Sequence, residues 1–142
     1  MTKALLGEVK TGRLMRLQYL GYSLLLSLLM FGFGLATVLA IGAGEHIIGG
    51  DLQQAQDKLR EMFTLPLMIV FAVVIPLSVF IAANIMAKRI RDIGLPGWWT
   101  LLVIIVLESV ASYAVSNEIG SGLHTLVLIV LLLIPSDTFK KQ

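Results

Sequence analysis

The sequence predicts an all-α membrane protein: a four-helix polytopic bundle with both termini inside and a short amphipathic helix in its first outer connection. Three observations predict it. Hydrophobic residues make up 57% of the 142 positions and charged ones only 14%, with a mean hydropathy of +0.90. A soluble chain carries about a quarter charged residues, and a sphere of this size could not hide so much apolar side chain from water. Two runs, 19–41 and 65–87, hold no charge at all, and a helix needs about 20 apolar residues to cross the hydrocarbon layer with its backbone satisfied. Finally, lysine and arginine are sorted by segment, as the positive-inside bias requires.

The N-terminal arm carries Lys3, Lys10, Arg13 and Arg16 ahead of the first run. That run is too long for a cleaved signal peptide, whose apolar core spans about 7–15 residues, so it reads as a permanent span. Residues 44–64 form the first outer connection. Within it Asp51 stands at an N-cap position with Gln54 three residues on, and Leu52, Ala55, Leu59 and Met62 recur at helical spacing. This predicts a short amphipathic helix lying in the outer headgroup region or against the bundle, unless the segment is a plain solvated connector. Gly49-Gly50 marks a hinge before it, and Pro66 fits the first turn of the next span.

The third and fourth spans, 98–116 and 120–135, are shorter, with only Asn117-Glu118-Ile119 between them. A bent re-entrant hairpin is the competing reading of that pair. Lys88, Arg89 and Arg91 fall in the second connection, and Lys140 and Lys141 in the tail. Nine of the eleven basic residues thus share the arm's side, whereas Lys58 and Arg60 in the first connection are balanced by Glu45, Asp51, Asp57 and Glu61. Four spans place both termini inside; three would put the tail lysines outside. The chain reads as a single membrane domain without repeats.

Within the bundle, Gly32, Ala36 and Ala40 form a small-residue ridge on the first span, suited to close approach by another helix. Pro76 leaves the carbonyl of Ala72 without its donor, which predicts a mid-membrane kink unless Ser78 or a neighbour compensates. Glu108 lies near the middle of a span, where an ionised acid costs about 2.5–3.5 kcal/mol on insertion scales. Ser112, one turn on, shares its face, and His124 on the fourth span lies at similar depth. This intramembrane polar group reads either as hydrogen-bonded glue between helices or as a proton or cation relay. The chain has no cysteine, and His46 and His124 are far apart, so a disulfide framework, a metal site and a cofactor are not expected.

The densest segment is Lys88-Arg89-Ile90-Arg91-Asp92-Ile93-Gly94-Leu95-Pro96-Gly97-Trp98-Trp99. Gly94, Pro96 and Gly97 permit a tight reversal, Trp98 and Trp99 suit headgroup depth, and Arg89 and Arg91 are expected to point toward phosphates. Asp92 can hold one guanidinium in a bidentate pair. Sidedness adds Lys10, Arg13 and Arg16 to the same membrane face.

Those residues carry a resemblance. The segment is similar to the signature Arg-Arg-x-His-Asp-x-Gly-x-x-Gly-Trp-Trp of a bacterial inner-membrane family catalogued as domain of unknown function 805. Arg89, Asp92, Gly94, Gly97, Trp98 and Trp99 stand at matching positions. Gly12-Arg13-Leu14-Met15-Arg16-Leu17-Gln18-Tyr19 resembles the family's Gly-Arg-x-x-Arg-x-x-aromatic pattern before its first span, and the likeness runs from Gly12 to Pro135. Arg91 stands where the family has histidine, and the tail from Pro135 to Lys140 lacks the family's Asn-x-Tyr-Gly ending. The resemblance implies a multi-pass protein of the bacterial inner membrane and brings no catalytic residue.

On function, the residues favour a non-enzymatic module. Its inner face, built from Arg13, Arg16, Arg89, Arg91, Asp92, Trp98 and Trp99, would bind anionic lipid headgroups or a membrane-protein partner, unless these residues merely set topology and depth. The alternative is a small homo-oligomeric transporter or channel that uses Glu108. No Ser-His-Asp set, carboxylate pair or glycine-rich phosphate cradle points to catalysis, and nothing points to nucleic acid.

Overall fold

A computed structural model of the chain describes residues 7–40, 49, 52–61 and 65–139. Among these the architecture is all-helical: α1 Arg16–Ala40, α2 Leu52–Glu61, α3 Leu65–Asp92, α4 Gly97–Ala114 and α5 Asn117–Leu133. Helices α1, α3 and α4 are long and apolar enough to cross a membrane, and α5 is a shorter apolar helix of 17 residues, about 26 Å long. The protein is a multi-pass membrane protein, and the polytopic helical fold expected from hydropathy is the fold observed.

Local chemistry sets the ends of these helices. At the start of α1, the Met15 N–H donates to Gln18 Oε1 at 3.4 Å, the backward half of a capping box. Helix α3 outruns the expected span by five residues, so Lys88, Arg89, Arg91 and Asp92 lie on its last turns rather than in a connection. It stops in a Schellman motif: the Leu95 N–H donates to Ile90 O and the Gly94 N–H to Arg91 O, with Gly94 at φ 101°. Pro96 cannot continue the helix, and Gly97, Trp98 and Trp99 open α4 instead of completing a loop.

Helices α4 and α5 are separate and joined by a two-residue turn. Ser116 caps α5, its extended backbone letting the hydroxyl accept from the Ile119 N–H at 3.3 Å. Neither Gly122 nor His124 interrupts α5, which begins three residues before the expected span. At Gly120 an added Cβ would strike the Ser112 side chain, so α4 and α5 touch closely there.

The chain divides into two compact units. One comprises residues 1–24 and 81–142, the other residues 25–80. In the second, α1 and α3 meet through Phe33 and Phe71, whose rings cross edge-on at 5.3 Å and 63°. Helix α3 runs through Pro76 without a break, and Ser78 donates to Val74 O at 2.7 Å rather than to Ala72 O. The small-residue ridge is open: Gly32, Ala36 and Ala40 are exposed and nothing lies within 4 Å of a Cβ built on Gly32. Helix α2 begins at Leu52, directly after the expected cap position, with Gln53, Gln54, Gln56, Asp57 and Arg60 exposed; Asp51, Gly50 and Met62 and the side chains of Leu52, Ala55 and Leu59 lie outside the described residues.

The packed core sits in the first unit, and toward one end of it. Leu14, Tyr19, Ile85, Met86, Ala87, Ile90, Ile93, Leu101 and Leu131 are buried, and the largest fully buried side chains are those of Arg89 and Lys88. Much of the remaining helix surface, including Leu24, Phe31, Val73, Val106 and Leu133, is apolar and exposed. Lipid is the solvent that such surfaces require.

Candidate functional site

The end of α3 gathers three segments distant in sequence. Arg89 is 0% exposed and stands at their centre. Its Nε donates to Leu131 O at 2.8 Å and its Nη2 to Ile134 O at 2.5 Å, both at the C-terminal end of α5. Its Nη1 donates to Asp92 Oδ2 and reaches Leu14 O of the arm at 3.4 Å. A guanidinium offers five N–H donors in a planar fork. Here that fork caps the final carbonyls of α5, where the helix dipole favours a cation.

Asp92 completes the junction from the other side. Its Oδ2 accepts from Arg89 and from Ser136 Oγ, the latter at 2.6 Å. The expected bidentate pair is thus a single carboxylate oxygen shared between a guanidinium and a tail hydroxyl. Backbone bonds extend the seam: the Asp137 N–H donates to Asp92 O at 2.7 Å and the Phe139 N–H to Ile93 O at 2.8 Å. Asp137 takes φ 59°, a turn conformation that aspartate tolerates better than most residues.

The N-terminal arm is fastened by a second set of donors. Lys88 Nζ donates to Gly7 O at 2.6 Å, Arg91 Nε to Gly12 O at 2.9 Å, and Arg91 Nη1 to Val9 O at 2.7 Å. Trp98 Nε1 also donates to Val9 O, at 2.7 Å. The close approach of α4 to α3 demands Gly97, because a Cβ there would run into the Ala87 carbonyl oxygen. The cluster is therefore a clasp that joins arm, turn and tail through cationic donors and backbone carbonyls.

This geometry corrects one expectation of direction. Arg89 and Arg91 turn inward to carbonyls of their own chain rather than outward toward phosphates. The physical reason is the set of acceptors: the free carbonyls at the end of α5 and along the arm need donors, and a buried guanidinium without partners would be costly. Of the seven residues singled out, Arg89, Arg91, Asp92 and Trp98 form the clasp, whereas Arg13, Arg16 and Trp99 are exposed. Arg13 pairs with Asp137 at 2.9 Å, with both side chains about half exposed. Trp98 and Trp99, with Ala83, Leu102, Ile105 and Val106, also line an open apolar groove of about 430 Å³. Ser136, Asp137 and the acceptor carbonyls of Val9, Gly12, Leu131 and Ile134 were not legible as partners. The signal that could have pointed to the tail is the turn-forming run Pro135-Ser136-Asp137.

The intramembrane polar residues also meet. His124 Nδ1 lies 3.1 and 3.2 Å from the two carboxylate oxygens of Glu108, joining α5 to α4. Ser112 packs against Gly120 instead of entering this pair. Among the described residues, no three histidine, aspartate or glutamate side chains are grouped to hold a metal ion.

No curated protein and no solved structure matches the chain. A family model does, over residues 9–142, which includes the arm, the turn and the tail. With that match spanning nearly its whole length, the chain belongs to the family described as protein of unknown function (DUF805).

Proposed function

We propose that the protein is a non-enzymatic module of the bacterial inner membrane, with its clasp end in the cytoplasm, and that this end binds anionic lipid headgroups. The clasp is the scaffold for that surface, not the surface itself. The observation that carries the reading is the fastening of the arm through Gly7, Val9 and Gly12. It holds exposed Lys10, Arg13 and Arg16 at the same end as exposed Trp99. Six described basic residues at that end, Lys10, Arg13, Arg16, Lys88, Arg89 and Arg91, support the cytoplasmic placement.

Each basic group beside an anionic surface contributes about 1 kcal/mol, so three give at most about a hundredfold preference for anionic over neutral lipid. Arg13 contributes least, because Asp137 already neutralises it. The test is replacement of Lys10, Arg13 and Arg16 by glutamine, with co-purifying lipids measured by mass spectrometry and sidedness by topology reporters. Loss of anionic lipid with topology retained supports the proposal; an unchanged lipid profile with unchanged topology overturns it. The transport alternative makes a different demand, namely ion or proton flux in liposomes that Glu108→Gln abolishes.

A further inference from the structure

About midway along the α4–α5 hairpin, a little toward the Val115-Ser116 turn, the Glu108–His124 pair poses a problem that the clasp does not. One ring nitrogen, Nδ1, serves both carboxylate oxygens. The other, Nε2, has no partner among the described residues, and the imidazole is 50% exposed where Glu108 is 18% exposed. The helix surface around the pair is largely leucine, isoleucine and valine, which acyl chains cover well. Acyl chains give neither a donor nor an acceptor to an imidazole and a carboxylate.

The residues beside His124 have the spacing of a helix-packing seam. At 3.6 residues per turn, Gly120 and Leu131 lie to one side of His124, and both are buried. Ser121 and Leu128 lie to the other side, away from those buried positions, with Thr125 further round. The steps 121, 124 or 125, and 128 alternate between three and four residues, the register in which two helices interlock. Ser121 and Thr125 are small and exposed, and each hydroxyl is already bonded within α5, to Glu118 O and Ser121 O.

We propose that this edge of the hairpin is where a second copy of the chain docks through a two-fold contact, the free imidazole nitrogen of each copy sharing a proton with the Glu108 carboxyl group of the other. The occupant is a second copy because the edge carries acid and imidazole together. In a bilayer a two-fold axis stands along the membrane normal, so residues at equal depth meet, and one complementary contact is made twice. An anionic headgroup would instead confront the carboxylate with like charge. The inference is independent of the lipid-binding proposal, which concerns the clasp end.

The chain has no cysteine, so a single introduced thiol reports one position. Ser121→Cys lies on the proposed seam and changes little in size; Leu126→Cys lies elsewhere on the exposed surface of the same helix. Oxidative cross-linking of the full-length variants in native membranes is expected to give a covalent dimer from Ser121→Cys and little from Leu126→Cys. Adding His124→Leu to Ser121→Cys should remove most of that dimer. In nanodisc or detergent titrations without the cysteine, His124→Leu should raise the dimer dissociation constant by about tenfold, as expected for losing two interhelical hydrogen bonds. Helical content is measured alongside, and His124→Gln, which keeps a hydrogen-bonding group, should recover part of the dimer. Equal cross-linking at both positions, a monomer at all concentrations, or a His124→Leu dimer as tight as the original overturns the proposal.

Discussion

Replacing Arg89 by lysine separates charge from geometry at the clasp. The positive charge is kept, so sidedness set by basic residues should not change. Lysine offers three donors from one point, whereas Arg89 serves Leu14, Leu131, Ile134 and Asp92 from a planar fork. An ammonium paired with Asp92 leaves at least two of the three carbonyls without a charged donor. Hydrogen bonds to charged groups contribute about 1.5–3 kcal/mol each, so the expected loss is about 3–6 kcal/mol. That is a large share of a folding stability of about 5–15 kcal/mol. The assay is unfolding in mild detergent titrated with a denaturing one, paired with hydrogen exchange at the amides of Asp137 and Phe139, which bond Asp92 O and Ile93 O. Both amides should exchange faster as the tail lets go. A variant within about 1 kcal/mol of the original, with exchange at those amides unchanged, would refute the reading of Arg89 as the centre of the clasp.

Four further outcomes follow from local geometry. Gly97→Ala places a methyl group against the Ala87 carbonyl and should destabilise by about 1–3 kcal/mol in the same titration. Gly122→Ala, built into open space on α5, should be neutral or stabilise by up to about 1 kcal/mol; equal effects of the two would remove the close-approach explanation. Gly94→Ala forces an alanine to φ 101° at the end of α3 and should cost at least about 1 kcal/mol, read as loss of exchange protection at Leu95. Ser136→Ala removes one of the two donors to Asp92 Oδ2 and should cost about 1–2 kcal/mol, with faster exchange confined to the tail.

Much of the fold was legible because hydropathy and charge sorting report directly on the bilayer. The uncharged runs 19–41 and 65–87 lie within α1 and α3, apart from Ile41 beyond the described residues, and the spacing after Asp51 located α2. Boundaries were harder where polar residues belong to helices. Asn117 and Glu118 looked like a connector, yet the Ser116 cap and the acid in the first turn favour a helix there. Lys88 to Asp92 looked like a loop, because four charged residues in five resemble a solvated connection.

The candidate site was half legible. Its residues could be picked out by type, since arginine, aspartate, glycine and paired tryptophans cluster in one stretch. Their directions could not. An arginine at a membrane face satisfies the same electrostatic logic whether it meets a phosphate or the carbonyls that end a helix. Only the fold brings Leu131 and Ile134 to Arg89, and Val9 to Arg91 and Trp98. The depth match of Glu108 and His124 was readable from helix rise alone, and the two side chains do meet.

The central claim is that arm, turn and tail are fastened together at one end of the protein. Single cysteines at Lys10, Pro96 and Phe139, one per segment, can be probed with a membrane-impermeant maleimide in vesicles of both orientations. The account predicts that all three react from the same face, the one proposed to be cytoplasmic. Reaction of any one of them from the opposite face would contradict it.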